Sequence, residues 1–280
     1  MTLDESAFAT TKSLLVLRNG ITLAYTEHGD PQGHPLLFVH GFTDSAASWV
    51  PLVPHLAHRY RMILVDLRGH GGSSRPESGY SRRDLAMDLV LLLDALGLAR
   101  VDVIGHSLGS LVAQNLAEDW PARVRRVALI SSTATPVPGQ DEFDLAGALV
   151  GLEDPIDPDS VFLTEWFANP TPVDAAFLAA ARREAAAMPA RLWRRICKES
   201  LRLDDLTADL PRLLAPALLI WGALDPIFGA RHRISLCQAL PGATVRIYGE
   251  LGHNPFWEQP AVIAREIAEF LADPPIKNLR

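Results

Sequence analysis

Cysteine is nearly absent: 280 residues carry only Cys197 and Cys237. Neither belongs to a CxxC pair, so a disulfide framework is excluded. Two buried small thiols in a reducing, cytoplasmic setting are expected instead. Long apolar runs are also missing, and none approaches the roughly 20 residues that a membrane span needs. The opening Met1-Thr2-Leu3-Asp4-Glu5 is acidic and has no apolar core of a secretory signal. There is no basic stripe, and the net charge is −7. Nucleic acid and membrane are therefore not expected partners. His40 and His70 lack metal-ligand spacing, so no metal and no cofactor is expected. No internal repeat is visible, and the one biased tract is an alanine-rich patch near 175–190. What remains is ordinary: 48% hydrophobic and 21% charged residues, on a chain long enough to bury a substantial core.

Apolar runs and turn residues divide the chain. Lys12 to Leu17 and Ile21 to Glu27 read as strands joined through Asn19-Gly20, a signal for a type I′ hairpin. Leu36 to Val39 and Met62 to Val65 are continuous apolar runs, expected of strands buried on both faces. A helix is expected between them, from about Ser45 through His58. Ser81-Arg82-Arg83-Asp84 matches a capping box and opens a helix to about Leu96, stopped by Gly97. Val101 to Ile104 and Val127 to Ile130 are further strands. Residues 134–208 then carry no convincing strand. They read as helices around Asp141–Leu149, Asp159–Ala168, Pro172–Met188 and Pro189–Leu203. Alternation resumes with a strand at Ala217–Trp221, a helix at Arg231–Leu240, a strand at Thr244–Tyr248 and a helix at Pro260–Leu271. Strands alternating with helices predict an α/β fold: a mostly parallel eight-stranded sheet with helices on both faces. The helical segment is inserted after the sixth strand.

Ligands in such sheets bind beyond the carboxyl ends of the strands, and the polar candidates all fall there. Gly105-His106-Ser107-Leu108-Gly109 lies between a strand and a helix, the context in which Gly-x-Ser-x-Gly presents a nucleophile. The bland alternative is an ordinary glycine turn. A serine hydroxyl needs a base, and the base needs an orienting group. Of nine histidines, His253 follows the last strand and is the candidate base. His106 adjoins the serine but should point away from it. His28, His34, His55, His58 and His232 read as surface positions, and His70 lies in a loop near the site. Asp225 follows the seventh strand and is the candidate orienting acid; capping a turn before Pro226 is the alternative. Two oxyanion donors are expected, the backbone N–H groups of Leu108 and Phe42. His40 and Gly41 are expected to shape the substrate side of the same loop.

Three stretches carry a resemblance: His40-Gly41-Phe42, the loop from Asp66 to Ser73, and Gly252 to Glu258. With the order Ser107, Asp225, His253 they resemble the α/β-hydrolase fold superfamily, over about residues 14–272. They are similar to its small serine esterases and lactonases with a helical cap. The resemblance implies a core of residues 1–133 and 209–280, with 134–208 as cap. It also implies a small-molecule ester or lactone substrate, a Ser107–His253–Asp225 triad and a monomer or homodimer. C–C bond hydrolases, amidases and perhydrolases share that triad and stay open, as does a ligand receptor of the same fold. A serine at position 107 speaks against the alkyl-enzyme branches, which use aspartate there. Phe143, Phe162, Trp166, Phe167, Phe177 and Trp193 are the large apolar residues of the insertion, and Trp166 and Phe167 are expected to line the pocket. The run Arg182, Arg183, Arg191, Arg194 and Arg195 reads as a solvated helix face.

Overall fold

The five apolar runs at the middle of the chain become the middle of the sheet. They are β3 (His34–Val39), β4 (Tyr60–Val65), β5 (Val101–His106), β6 (Val124–Ile130) and β7 (Ala217–Gly222). The structure is a computed structural model that describes residues 12–56, 59–135, 145–201 and 206–272. β1 (Ser13–Val16) and β2 (Thr22–Gly29) form the leading hairpin, and β8 (Thr244–Tyr248) closes the far edge. The strand order is β1-β2-β4-β3-β5-β6-β7-β8. β2 runs antiparallel to β1 and β4, and every pairing from β4 to β8 is parallel. This is the expected eight-stranded, mostly parallel sheet. β5 and β7 are buried along their whole length; β7 reads as an unbroken apolar run, and β5 as one interrupted by Asp102, which accepts from Arg125 at 2.8 Å.

Helices cover the sheet in two groups. α2 (Arg82–Ala95) packs on α3 (Leu108–Asp119), and α3 packs on β5 and β6. α1 (Val53–Leu56), α9 (Pro255–Glu258) and α10 (Pro260–Ala272) form the second group. α8 (Ala230–Ala239) links β7 to β8. The capping box forms as expected. Ser81 Oγ accepts from the Asp84 N–H at 3.1 Å, Asp84 Oδ2 accepts from the Ser81 N–H at 3.2 Å, and Gly97 is left-handed at φ +67°.

Two local expectations are corrected. The hairpin has no type I′ turn, since Gly20 alone is left-handed, at φ +83°. Leu17 pairs both ways across a three-residue loop, accepting from the Gly20 N–H at 2.9 Å and donating to the Ile21 carbonyl at 2.7 Å. Asn19 is held elsewhere, its amide donating to Asp88 at 2.8 Å. The long helix from Ser45 is instead a short 3₁₀ turn, Ala46–Trp49, followed by α1. Pro51 and Pro54 carry no N–H and break the ladder. His58 lies outside the described residues.

After β6 come α4 (Leu145–Ala148), α5 (Val161–Trp166), α6 (Ala175–Ala186), α7 (Ala190–Ile196) and a π turn at Cys197–Leu201. The start of the first expected helix, with Phe143, and the end of the last lie outside the described residues. This segment is tied to loops at the carboxyl edge of the sheet. Trp166 Nε1 donates to Thr43 Oγ1 at 3.0 Å, the Tyr80 N–H to Glu199 at 2.9 Å and Thr171 Oγ1 to Glu258 at 2.6 Å. Ser45 also donates to Glu184, whose carboxyl is pushed up by burial. Arg183, Arg191, Arg194 and Arg195 are exposed and Arg182 half-buried, close to the expected solvated face. Among the described residues no helix is long and apolar enough to cross a membrane.

Candidate active site

The chain turns sharply where β5 meets α3. Ser107 sits at that corner with φ 49° and ψ −119°, a conformation that costs a non-glycine residue energy and clusters at functional sites. Glycines make the corner possible. A Cβ on Gly105 would stand 2.5 Å from the Gly109 carbonyl oxygen, and one on Gly109 would stand 2.1 Å from that of Val39. Leu108 is the first residue of α3, so its N–H has no partner within the helix. Ser110 Oγ donates to the Ser107 carbonyl at 2.6 Å and braces the corner from behind.

The loops after β7 and β8 bring an acid to a base. His253 Nδ1 donates to Asp225 Oδ2 at 2.8 Å. Asp225 Oδ1 accepts from the backbone N–H groups of Ile227, at 2.8 Å, and Phe228, at 3.0 Å. Burial by itself raises the Asp225 pKa. The nearby His253 charge and these hydrogen bonds outweigh it and hold the carboxyl below its ordinary value. The His253 carbonyl is pinned too, accepting from Ser131 Oγ at 2.7 Å and His106 Nε2 at 3.0 Å. A carboxylate on Nδ1 leaves Nε2 as the acceptor of the neutral ring, the tautomer that a general base requires.

Ser107 and His253 line one cavity of about 50 Å³, room for a handful of waters. Phe42, Trp166, Phe167, Phe228 and Trp257 supply its aromatic walls. Trp166 and Phe167, the two residues named above for the pocket, are among these walls. Trp193 is fully buried behind them, its ring 5.5 Å from both Phe42 and Trp166. Phe177 packs on Trp257 and holds the helical segment to the body.

Three histidine and glycine expectations change. His40 does not reach the cavity. It is fully buried, donates from Nδ1 to the Gly41 carbonyl at 2.8 Å and accepts the Leu67 N–H on Nε2 at 3.0 Å. Burial pushes its pKa well below 6.5. Gly41 is not among the residues that line the cavity, and a Cβ there would stand 2.8 Å from both Asp44 Oδ2 and His106 Nδ1. His232 is fully buried, its Nδ1 2.9 Å from Thr133 Oγ1, and is no surface residue. His70 is also buried and donates to the Arg68 carbonyl at 3.0 Å. Cys197 is buried and Cys237 half-buried.

Sequence reasoning missed Asp44, Ser131, Phe228 and Asn254, and it gave His106 no task. The Gly41 contacts explain Asp44, which follows the His40-Gly41-Phe42 turn by two residues. Nothing in spacing marks Ser131 or Phe228 as neighbours of His253.

Comparison with known proteins places the chain. The family model described as alpha/beta hydrolase fold matches residues 34–161. A protein of Variovorax paradoxus named for carbamate hydrolysis is 31% identical over 263 residues, covering 89% of this chain and 96% of that protein. A 3-oxoadipate enol-lactonase of Acinetobacter baylyi is 27% identical over 241 residues, covering 86% and 89%. The crystal structure of a hydrolase from Pseudomonas aeruginosa superposes with a TM-score of 0.83 at 27% identity, covering 95% of this chain and all of that one.

Proposed function

Since the chain belongs to the alpha/beta hydrolase fold family, we propose that it is a serine hydrolase that cleaves carboxylic esters or lactones of small, largely apolar substrates. The observation that carries this reading is the Asp225–His253 pair at 2.8 Å, opening on the cavity that Ser107 lines. Ser107 Oγ attacks the carbonyl carbon while its proton passes to His253 Nε2. The imidazolium so formed faces the Asp225 carboxylate, which stays ionised. The N–H groups of Leu108 and Phe42 receive the developing oxyanion, in a dry site where such donors act strongly. The alcohol leaves with the proton from His253. Water then attacks the acyl-enzyme, gives its proton to His253 and releases the acid, and the proton returns to Ser107. A lactone follows the same steps with the alcohol still attached. The helices of 134–208 act as a cap that excludes water and sets substrate size. The aromatic walls and the small cavity support short or flat acyl groups over long chains.

The test is a graded series of p-nitrophenyl esters and lactones with wild type and Ser107→Ala. Wild type should turn over the short members, and Ser107→Ala should lose at least about 10³-fold in kcat. A Ser107→Ala protein that stays folded and keeps a tenth of the rate refutes the assignment.

A further inference from the structure

Ser131 follows the last residue of β6, is fully buried and is not among the residues that line the cavity. Its backbone is nevertheless left-handed, at φ 47°. Among the described residues only Thr43 and Ser107 share that sign of φ without being glycine. The conformation costs a residue with a Cβ energy, and glycine would adopt it freely. What serine offers here and glycine does not is the hydroxyl.

That hydroxyl donates to the His253 carbonyl at 2.7 Å. The same carbonyl takes a second donor, His106 Nε2, at 3.0 Å. Burial lowers the His106 pKa and keeps the ring neutral. A carbonyl only accepts, so the single ring proton of His106 is on Nε2. His106 directly precedes Ser107. The main chain around Ser131 reaches the other two members of the site. The Ser107 N–H donates to the Ile130 carbonyl at 3.0 Å, and the Ser131 N–H donates to the Ile220 carbonyl at 2.8 Å, on the strand that leads to Asp225. Ile130-Ser131 therefore joins the main chain of the nucleophile to that of the base, and both to the strand that carries the acid.

The bond to Asp225 fixes His253 at Nδ1 alone, and a ring held at one atom can pivot about it. Holding the carbonyl of the same residue removes that freedom and sets where Nε2 points. We propose that Ser131 is a positioning residue: its hydroxyl, together with His106 Nε2, fixes the main chain of His253 and so sets the reach of the general base to Ser107. This rests on the serine hydrolase reading for the roles of Ser107 and His253. The left-handed turn at Ser131 is the strain that aims the hydroxyl.

Two variants separate positioning from packing. Ser131→Gly and Ser131→Ala both delete the hydroxyl, but only glycine relaxes the backbone. The two should lose kcat alike, by at least about tenfold on the best short ester, with KM within about twofold of wild type. They should differ in stability instead, Ser131→Gly melting above Ser131→Ala. A rate that follows the melting temperature, with Ser131→Gly near wild type and Ser131→Ala low, overturns the proposal. So does a kcat within about twofold of wild type in both. If Ser131→Ala does not fold, the kcat of Ser131→Gly decides. A second measurement needs no turnover. The His253 Nδ1–H bonded to Asp225 gives a downfield proton resonance, assigned by its absence from His253→Gln. It should shift or broaden in Ser131→Gly, and an unchanged resonance overturns the proposal. A perturbed resonance in a protein that turns over no ester sinks only the reaction. Ester turnover that both variants keep sinks only this inference.

Discussion

Replacing Asp225 by asparagine separates the orienting role of this residue from its packing, because the structure decides which way the new amide points. Oδ1 accepts two backbone N–H groups, from Ile227 and Phe228, while Oδ2 accepts His253 Nδ1–H. An asparagine keeps the two backbone bonds only if its oxygen takes the Oδ1 place. Its NH₂ then faces His253 Nδ1, which must become an acceptor. The ring proton moves to Nε2, and the base has no lone pair left for Ser107. Flipping the amide restores the tautomer but strands two buried N–H groups, at about 1–3 kcal/mol each. The productive orientation is therefore disfavoured by about 2–6 kcal/mol, or roughly 30-fold to 10⁴-fold in population. The lost charge facing the imidazolium adds to this; a wrong tautomer alone costs about 10⁴ in serine proteases. Asp225→Asn should thus lose 10²- to 10⁴-fold in kcat on the best short ester, with KM changed little and the melting temperature near that of wild type. Steady-state kinetics with a p-nitrophenyl ester reads the rate, and circular dichroism reads the fold. A folded variant within tenfold of wild type would refute the tautomer argument.

Two further outcomes follow from burial. Glu118 on α3 is buried, and burial, aided by the nearby Asp209 charge, raises its pKa to about 7. Between its ordinary 4.5 and 7 the folded chain holds a proton that the unfolded chain has released, so its contribution to stability declines as pH rises through that window. Glu118→Gln should therefore gain on wild type by about 1–3 kcal/mol more at pH 8 than at pH 4.5 in denaturant unfolding; an equal difference at both pH values would refute it. Gly109→Ala places a Cβ 2.1 Å from the Val39 and 2.4 Å from the His40 carbonyl oxygen, both backbone atoms. It should cost about 3 kcal/mol or more and abolish ester turnover, and a wild-type melting temperature would refute the contact.

The sheet was legible because the inner stretches of β3 to β7 are buried on both faces and mostly apolar; the buried Asp102 and Arg126 are exceptions that carry partners, Asp102 with Arg125 and Arg126 with the Phe270 and Leu271 carbonyls. The Ser81 capping box was legible because its two hydrogen bonds need only residues three apart. Ser107, Asp225 and His253 stood out because each follows a strand. The misreadings have a common cause. His40, His232 and Asn19 were judged from neighbours in sequence, while their partners come from elsewhere: Leu67 on His40, Thr133 on His232, Asp88 on Asn19. His40, with both ring nitrogens hydrogen-bonded, is a structural residue, and spacing carries no record of that. Asp44 was passed over for the same reason, since it lies in the loop after β3 while its neighbour His106 ends β5.

The Asp225–His253 pair and the cavity walls are held in place by different kinds of contact. A Cβ on Gly222 would stand 2.1 Å from the Leu251 and 2.2 Å from the Gly252 carbonyl oxygen, so the end of β7 lies backbone against backbone on the loop that carries His253. The Leu224 N–H donates to the Leu251 carbonyl at 3.0 Å and fixes the register between them. Gly109 seats the Ser107 corner on the main chain of Val39 and His40 in the same way. Main-chain contacts do not depend on which side chains surround them. The helical segment beside the cavity depends on single side chains: Trp166 hangs on Thr43 Oγ1, and Thr171 on Glu258. Changing those side chains can reshape the cavity while the Asp225–His253 pair stays at its distance.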